Sequence, residues 1–355
     1  MTRQYIAKTE KIPVEKETNM YKLKTIENYK PQLSLRETQK AIKLLKDTFE
    51  KTLADALNLE RISAPMLVTS ASGINDDLNG VERPVKFDIK EVPDYDAEIV
   101  QSLAKWKRVA LYNYGFKPGE GLYTDMNAVR RDDMVDNIHS VYVDQWDWEL
   151  IIDRSQRNTE FLKSVVSRIA AAVVDTQNVI NKQFKAVTTD LQKKVFSISS
   201  QELLDLYPTL SAKERELEIT KKKKTVFITQ IGGRLSNGQS HDGRAPDYDD
   251  WALNGDLLFW NEVMNEPLEI SSMGIRVDSG SMLSQLEAAG KNERKSHEYH
   301  QGVINNVLPL TIGGGIGQSR LCMLILQKLH IGEVQVSVWP KKMIGECKKA
   351  GIPLL

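Results

Sequence analysis

The stretch GGGIGQSR at residues 313–320 constrains this chain more than any other. An apolar run at 308–312 leads into it, and a second at 321–326 leads out. The first is short and strand-like, and the second continues past Arg320 at helical spacing. The glycines are therefore expected where a buried strand hands over to a buried helix, letting the backbone approach something closely. Arg320 brings a charge that apolar surroundings would otherwise reject. A planar ligand carrying phosphates accounts for both features. Neither common nucleotide motif is spelled, however: GxxxxGK[ST] is absent, and the glycines do not fall as GxGxxG in a βαβ unit. A tight turn beside one Arg explains the stretch equally well, so the rest of the chain has to decide.

The chain has 355 residues, with 48 basic against 48 acidic side chains. That balance argues against nucleic acid as the main partner, which usually calls for a basic excess. Two cysteines, Cys322 and Cys347, exclude a disulfide framework and a Cys-rich zinc site; Cys322 reads as a small core residue. The N-terminus lacks the apolar core of a secretory signal and carries Glu10, Glu15 and Glu17, which transit peptides avoid. No stretch approaches the ~20 apolar residues of a membrane span. The expectation is a cytoplasmic protein without membrane contact.

Residues 1–33 are mixed in charge and weakly periodic, broken by Pro13 and Pro31, and are expected to be an extension with little core of its own. Ser34 and Glu37 have capping-box spacing. Ile42, Leu45, Phe49, Leu53 and Leu57 then predict an amphipathic helix to about Asn58. Pro65 in the extended LERISAP segment at 59–65 cannot donate to a ladder, which places it at an edge or interface. Strands are expected at 85–92, 98–103, 139–149, 225–231, 255–260 and 268–272, and helices from 105–108 to before Gly115 and near 158–184, 281–290 and 292–305. The four lysines at 221–224 read as a solvated helix end. With no repeat and no linker, residues 34–355 suggest one α+β domain with a mostly antiparallel sheet flanked by helices.

Polar residues gather on strands that ought to be buried: Asp144, Gln145 and Asp147 on one, Asp256 on another, Glu269, Ser271 and Ser272 on a third, with Arg276 just beyond. Buried carboxylates need cations, metals or donors. Oxygen-rich clusters suit Mg²⁺, which binds through one or two carboxylates and substrate phosphates. Arg130 and Arg320 are candidates for a planar grip on phosphate. Internal ion pairs explain any one of these residues; their clustering on facing strands points to a site.

Three segments resemble the signature motifs of class II aminoacyl-tRNA synthetases. LERISAP at 59–65 with its preceding helix resembles the dimer-interface motif, Arg130 with HSVYVDQWDWE at 139–149 the ATP-binding hairpin, and GGGIGQSR at 313–320 the third motif. EISSMGIR at 269–276 resembles the segment with which aspartyl- and asparaginyl-tRNA synthetases hold Mg²⁺ and the amino-acid carboxylate. SLAKWKR at 102–108, GEGLYT at 119–124, HSVYVDQWDWE, RAPDYDDW at 244–251 and SSMGIR at 271–276 are similar to the ammonia-dependent asparagine synthetases, the aspartate–ammonia ligases.

That resemblance implies a class II synthetase-like catalytic domain acting as a homodimer on L-aspartate, ammonia and ATP with Mg²⁺. Aspartate would be activated as β-aspartyl-AMP with release of pyrophosphate, and ammonia would then displace AMP. It implies Arg130 on the α-phosphate, Arg320 on the distal phosphates near the adenine, and Gly313, Gly314 and Gly315 beside the adenosine. Asp256 and Glu269 would hold Mg²⁺. Lys107 and Arg276, with Ser271 and Ser272, would bind the aspartate, the two cations through its α-carboxylate. Asp76, Gln145 and Asp147 would take the ammonium group or orient ammonia, and Asp249 would shape ammonia entry. His139, His241 and His300 are assigned no catalytic role; His241 beside Asp242 reads as a solvated loop residue. The alternatives are a tRNA-charging enzyme, for which residues 1–33 are too few to form an anticodon-binding barrel, and an inactive regulator, which would have lost residues such as Arg130, Glu269 and Arg320.

Overall fold

Ser34 and Glu37 satisfy each other's backbone amides, so the expected capping box starts a helix, α1 (Leu35–Leu57). Residues 21–76, 78 and 82–355 are those that this computed structural model describes; the extension expected over 1–33 lies partly outside them. Ala41, Leu45, Phe49, Leu53 and Leu57 of α1 are buried, the stripe that spacings of three and four require. After it come a short strand, β1 (Leu59–Arg61), and a small sheet of β2 (Leu67–Thr69), β3 (Lys86–Ile89) and β4 (Val92–Ile99). Helix α2 (Ala104–Asn113) leads into the hairpin β5 (Gly121–Val129) and β6 (Tyr142–Ile151), followed by α3 (Thr159–Gln183), which Asn158 caps.

The second half runs β7 (Phe196–Ser199), α4 (Ser200–Leu206), α5 (Ala212–Lys223), β8 (Thr225–Thr229), β9 (Asp249–Asn261) and β10 (Glu266–Arg276). It ends with α6 (Ser279–Ala288), α7 (Glu298–Ile304), β11 (Thr311–Gly317), α8 (Gln318–Ile325) and α9 (Lys341–Lys349). The lysines at 221–223 close α5 exposed, as expected of a solvated helix end.

One eight-stranded sheet carries the domain, in the order β1-β5-β6-β11-β10-β9-β8-β7. Its inner pairs are antiparallel, and only the outer pairs β1–β5 and β7–β8 are parallel. β1 is the edge strand, so Pro65 does follow an edge as its missing N–H requires. On β6, successive side chains alternate between faces. Trp146 and Trp148 enter the core beneath α1 and α3, Trp146 against Phe49 with ring centroids 4.7 Å apart. Gln145, Asp147 and Glu149 turn to the other face. Cys322 and Cys347 are buried and unpaired; burial pushes the Cys322 thiol up to about 12, in keeping with an inert core residue.

Two expectations need correction. The strand expected at 98–103 ends with Ile99. More important, Gly313, Gly314 and Gly315 lie inside β11, paired on both sides, and only Gly317 stands at the handover to α8. A glycine inside a strand marks close approach of other groups, and those groups are on its neighbours. Residues 21–33 form no helix or strand, yet Leu33 is buried and Leu23, Ile26 and Tyr29 pack against the main core. The Tyr29 hydroxyl donates to Glu333 at 3.0 Å.

Candidate active site

The strand register lays polar residues in rows across one face. Asp147, Gly315, Ser272 and Asp256 stand opposite one another across β6, β11, β10 and β9. Glu149, Gly313, Gly274 and Asn254 form the next row. With Gly315 in the first row, and Gly313 and Gly274 in the second, each row is a trough between side chains from its flanks. Above it lies a cavity of about 360 Å³, walled also by α2, the loops around Asp76 and Arg130, and the segment carrying Arg244, Tyr248 and Asp249.

One buried network crosses this wall. Arg276 is 2% exposed and grips Glu149 with two nitrogens, Nε to Oε1 at 2.9 Å and Nη2 to Oε2 at 2.7 Å, while Nη1 donates to Asp249. Thr311 donates to Glu149 as well, at 2.7 Å. Lys107, 1% exposed, donates to Asp147 and to the Gly314 carbonyl at 2.9 Å, with Glu149 3.9 Å away. Burial alone would push Glu149 up, but Arg276, Lys107 and Thr311 hold its carboxyl below the usual range. Tyr248 stands by Arg276, and burial together with Asp76 and Asp249 drives its phenol well up. Asp76 is buried in the same wall, its Oδ1 accepting from the Leu78 amide at 3.1 Å.

A second network holds the remaining arginines. Arg320 opens α8 and donates to the Glu269 carbonyl at 3.1 Å, with the Glu269 carboxylate 3.8 Å away. The start of α8 is fixed to β6, since Asp144 accepts from the Ser319 amide at 3.0 Å and its hydroxyl at 2.8 Å. Arg130 begins the loop between β5 and β6, its side chain reaching, among the described residues, only the Gln101 carbonyl at 3.4 Å. Burial pushes Asp133 up while Arg130, His139 and Arg320 pull it down, so one carboxylate senses both arginines. Arg244 donates to Asp256. Burial pushes Asp256 up to about 6, Arg244 opposing and Glu269 adding to the rise.

Of the expected residues, Asp76, Lys107, Arg130, Gln145, Asp147, Asp249, Glu269, Ser272, Arg276, Gly314, Gly315 and Arg320 line this one cavity. Ser271, Gly313 and Asp256 do not. Ser271 donates to the Gly315 carbonyl at 3.0 Å within the sheet. The register slips between Glu269 and Ser271, and this bulge puts Ser272, not Ser271, on the face that Glu269 shares. Gly313 is corrected likewise: a Cβ there would sit 1.9 Å from Glu149 Oε2, so its missing side chain makes room for the Glu149–Arg276 pair. Asp256 stands behind Arg244. His241 is buried against Glu216 at 3.0 Å instead of solvated, and His300 is fully buried on Asp247. Arg244, Tyr248 and His139 also line the cavity and carry no assigned role from sequence. Arg244 sits in a loop without periodicity, and its only signal is a position within RAPDYDDW.

Gly313→Ala and Gly315→Ala should therefore differ. The first drives a methyl into a buried ion pair and should cost about 1–3 kcal/mol, typical of overpacking. At Gly315 the methyl meets Gln145 Oε1 at 2.4 Å, the far end of a side chain that can move. That variant should keep its urea midpoint and lose activity. Equal midpoints for both variants would contradict this.

Comparison with known proteins adds a family to this geometry. Residues 36–351 match the family model described as aspartate-ammonia ligase. A protein of that name from Clostridium tetani is 57% identical over 327 residues, covering 92% of this chain and 96% of its own. One from Clostridium perfringens is 56% identical over 336 residues, covering 95% and 100%. Among solved structures, asparaginyl-tRNA synthetase from Pyrococcus horikoshii, complexed with asparaginyl-adenylate, aligns with a TM-score of 0.62 at 16% identity, covering 86% of this chain and 70% of that one. The Entamoeba histolytica enzyme of the same kind gives 0.61 at 13% identity, covering 85% and 66%. At such identities these two show the fold, the expected synthetase catalytic domain. Among the described residues, no helix is long and apolar enough to cross a membrane.

Proposed function

Since the chain belongs to the aspartate–ammonia ligase family and makes asparagine from aspartate and ammonia, we propose that it does so with ATP through β-aspartyl-AMP. A carboxylate cannot accept ammonia directly, because oxide would have to leave. In the first step a β-carboxylate oxygen attacks the α-phosphorus, and the bond to the β-phosphate breaks to release pyrophosphate. In the second, ammonia adds to the β-carbonyl carbon, AMP leaves with the bridging oxygen, and the nitrogen loses a proton. Both steps ask chiefly for positioning and charge neutralisation.

The observation that carries this reading is the meeting of two kinds of cation in one cavity: the loosely held Arg130 and Arg320, and the deeply buried Lys107 and Arg276. Arg130 would take the α-phosphate and Arg320 the distal phosphates, with Gly314 and Gly315 beneath the adenosine. Lys107 and Arg276 would bind the α-carboxylate, leaving the β-carboxylate to react. Each terminal nitrogen of Arg276 keeps an N–H beyond its contacts to Glu149 and Asp249. Asp76, Gln145 and Asp147 would receive the amine or orient ammonia, and Asp249 would shape its entry.

Glu269 fits a Mg²⁺ ion: its side chain is 38% exposed at the wall, and its contact with Arg320 is 3.8 Å. Asp256, raised chiefly by burial and paired with Arg244, stands outside the cavity lining. No group of three or more His, Cys, Asp or Glu gathers for a metal among the described residues, so phosphate oxygens and water would complete the shell. When bound, Mg²⁺ would neutralise phosphate charge. A homodimer would form through α1 and the segment after β1, where Leu35, Met66 and Leu67 are exposed. The test supplies MgATP and aspartate with and without ammonium. Equal yields of AMP and asparagine that require ammonium support the reading; ADP as the nucleotide product overturns it.

A further inference from the structure

Asp247 takes no part in the chemistry above, yet it is fully buried directly beside cavity residues. Its Oδ2 accepts from His300 Nε2 at 3.0 Å and Arg294 Nη1 at 3.0 Å, and Lys105 Nζ stands 3.8 Å away. Lys105, 4% exposed, also donates to the Gly73 carbonyl at 2.9 Å. Burial alone would raise the Asp247 carboxyl, but His300, Lys105 and Arg294 hold it well below the usual range.

These contacts join separate walls of the cavity. Lys105 belongs to α2, whose Ala104 and Lys107 face the cavity. Gly73 begins the turn that ends in Asp76, and a Cβ on Gly73 would meet His297 Nδ1 at 2.9 Å. His297 packs edge-on against His300, centroids 5.4 Å apart. Asp247 itself immediately precedes Tyr248 and Asp249, both in the cavity wall. One carboxylate thus ties the Asp76 turn, the Tyr248–Asp249 segment and the start of α2 together.

We propose that Asp247, acting through Lys105 and His300, is a positioning residue that sets the spacing between Asp76 and Asp249 across the aspartate end of the cavity. This rests on reading that end as the aspartate pocket. Misplacing groups by about 1 Å can cost up to ~10²-fold in rate, and the effect here is confined to one substrate, because Arg320 and Glu269 belong to the other network.

Lys105→Met tests this with little risk to the fold, since Asp247 keeps His300 and Arg294. KM for aspartate should rise about tenfold, equivalent to ~1.4 kcal/mol, while the Kd of ATP measured without aspartate stays within about twofold. His300→Gln should move the same parameter in the same direction. A parallel rise in the KM of aspartate and the Kd of ATP, or no change in either, overturns the proposal. Asp76→Asn serves as the control on the underlying reading. If it leaves the KM for aspartate unchanged, the pocket has been misassigned; if it raises the KM while Lys105→Met does not, only the positioning role fails.

Discussion

Arg130→Ala should lower kcat/KM by about 10³-fold or more, the scale of removing a cation from a phosphoryl-transfer transition state, and should leave the fold intact. The backbone N–H of Arg130 holds the hairpin through the Val141 carbonyl at 2.9 Å, and Ala retains that bond. Among the described residues the side chain adds only two long contacts, both to the Gln101 carbonyl at 3.4 Å. A guanidinium held so loosely contributes little to stability and is ready to turn towards an incoming phosphate. Arg130→Lys should recover only part of the loss, because an ammonium cannot present a bidentate face. Steady-state rates with a urea melt on the same samples decide the matter. Activity within tenfold of the parent would remove Arg130 from the α-phosphate.

Arg276→Met should behave in the opposite way, losing stability and activity together. Arg276 is wholly enclosed between Glu149 and Asp249, both buried, so its removal leaves two carboxylates without their main counter-charge. Breaking a buried pair by deleting one partner costs about 3–5 kcal/mol, a large share of the stability of an ordinary domain. Adding Glu149→Gln should recover part of that loss, since the second change removes one of the stranded charges. Denaturant midpoints of the single and double variants measure this directly. A single variant that melts with the parent would mean that the protein neutralises Glu149 and Asp249 by other means.

The contrast between these two arginines was only half legible in the sequence. Both stood out as cations among polar residues on apolar strands, and both line the cavity. What separates them is Glu149, which the sequence presents as one more acidic residue at the end of an alternating strand. Its partner lies 127 positions away, and only the order β6-β11-β10 brings the two across a glycine from each other. Local signals fared better. The capping box of Ser34 and Glu37 and the stripe of α1 are each written within a few neighbouring residues, and each is found.

Where the reading failed, the cause was a geometry that no local pattern carries. The bulge near Ile270 exchanges Ser271 for Ser272 at the cavity, because a one-residue slip in a strand reverses its faces. Gly313 looked like part of a ligand-binding turn, yet its space is filled by side chains from β6 and β10. Asp256 is drawn behind Arg244, a loop residue whose direction depends on the whole segment from His241 to Asp249. His241 buries itself on Glu216, a partner supplied by a distant element.

The most direct test of the adenylate route follows an oxygen atom. Aspartate labelled with ¹⁸O in the β-carboxylate is converted in the presence of MgATP and ammonium, and the AMP and pyrophosphate are weighed by mass spectrometry. Attack of the carboxylate on the α-phosphorus, followed by release of AMP to ammonia, places one ¹⁸O in AMP for each asparagine formed and none in pyrophosphate. Label in inorganic phosphate, or AMP free of ¹⁸O, would contradict it.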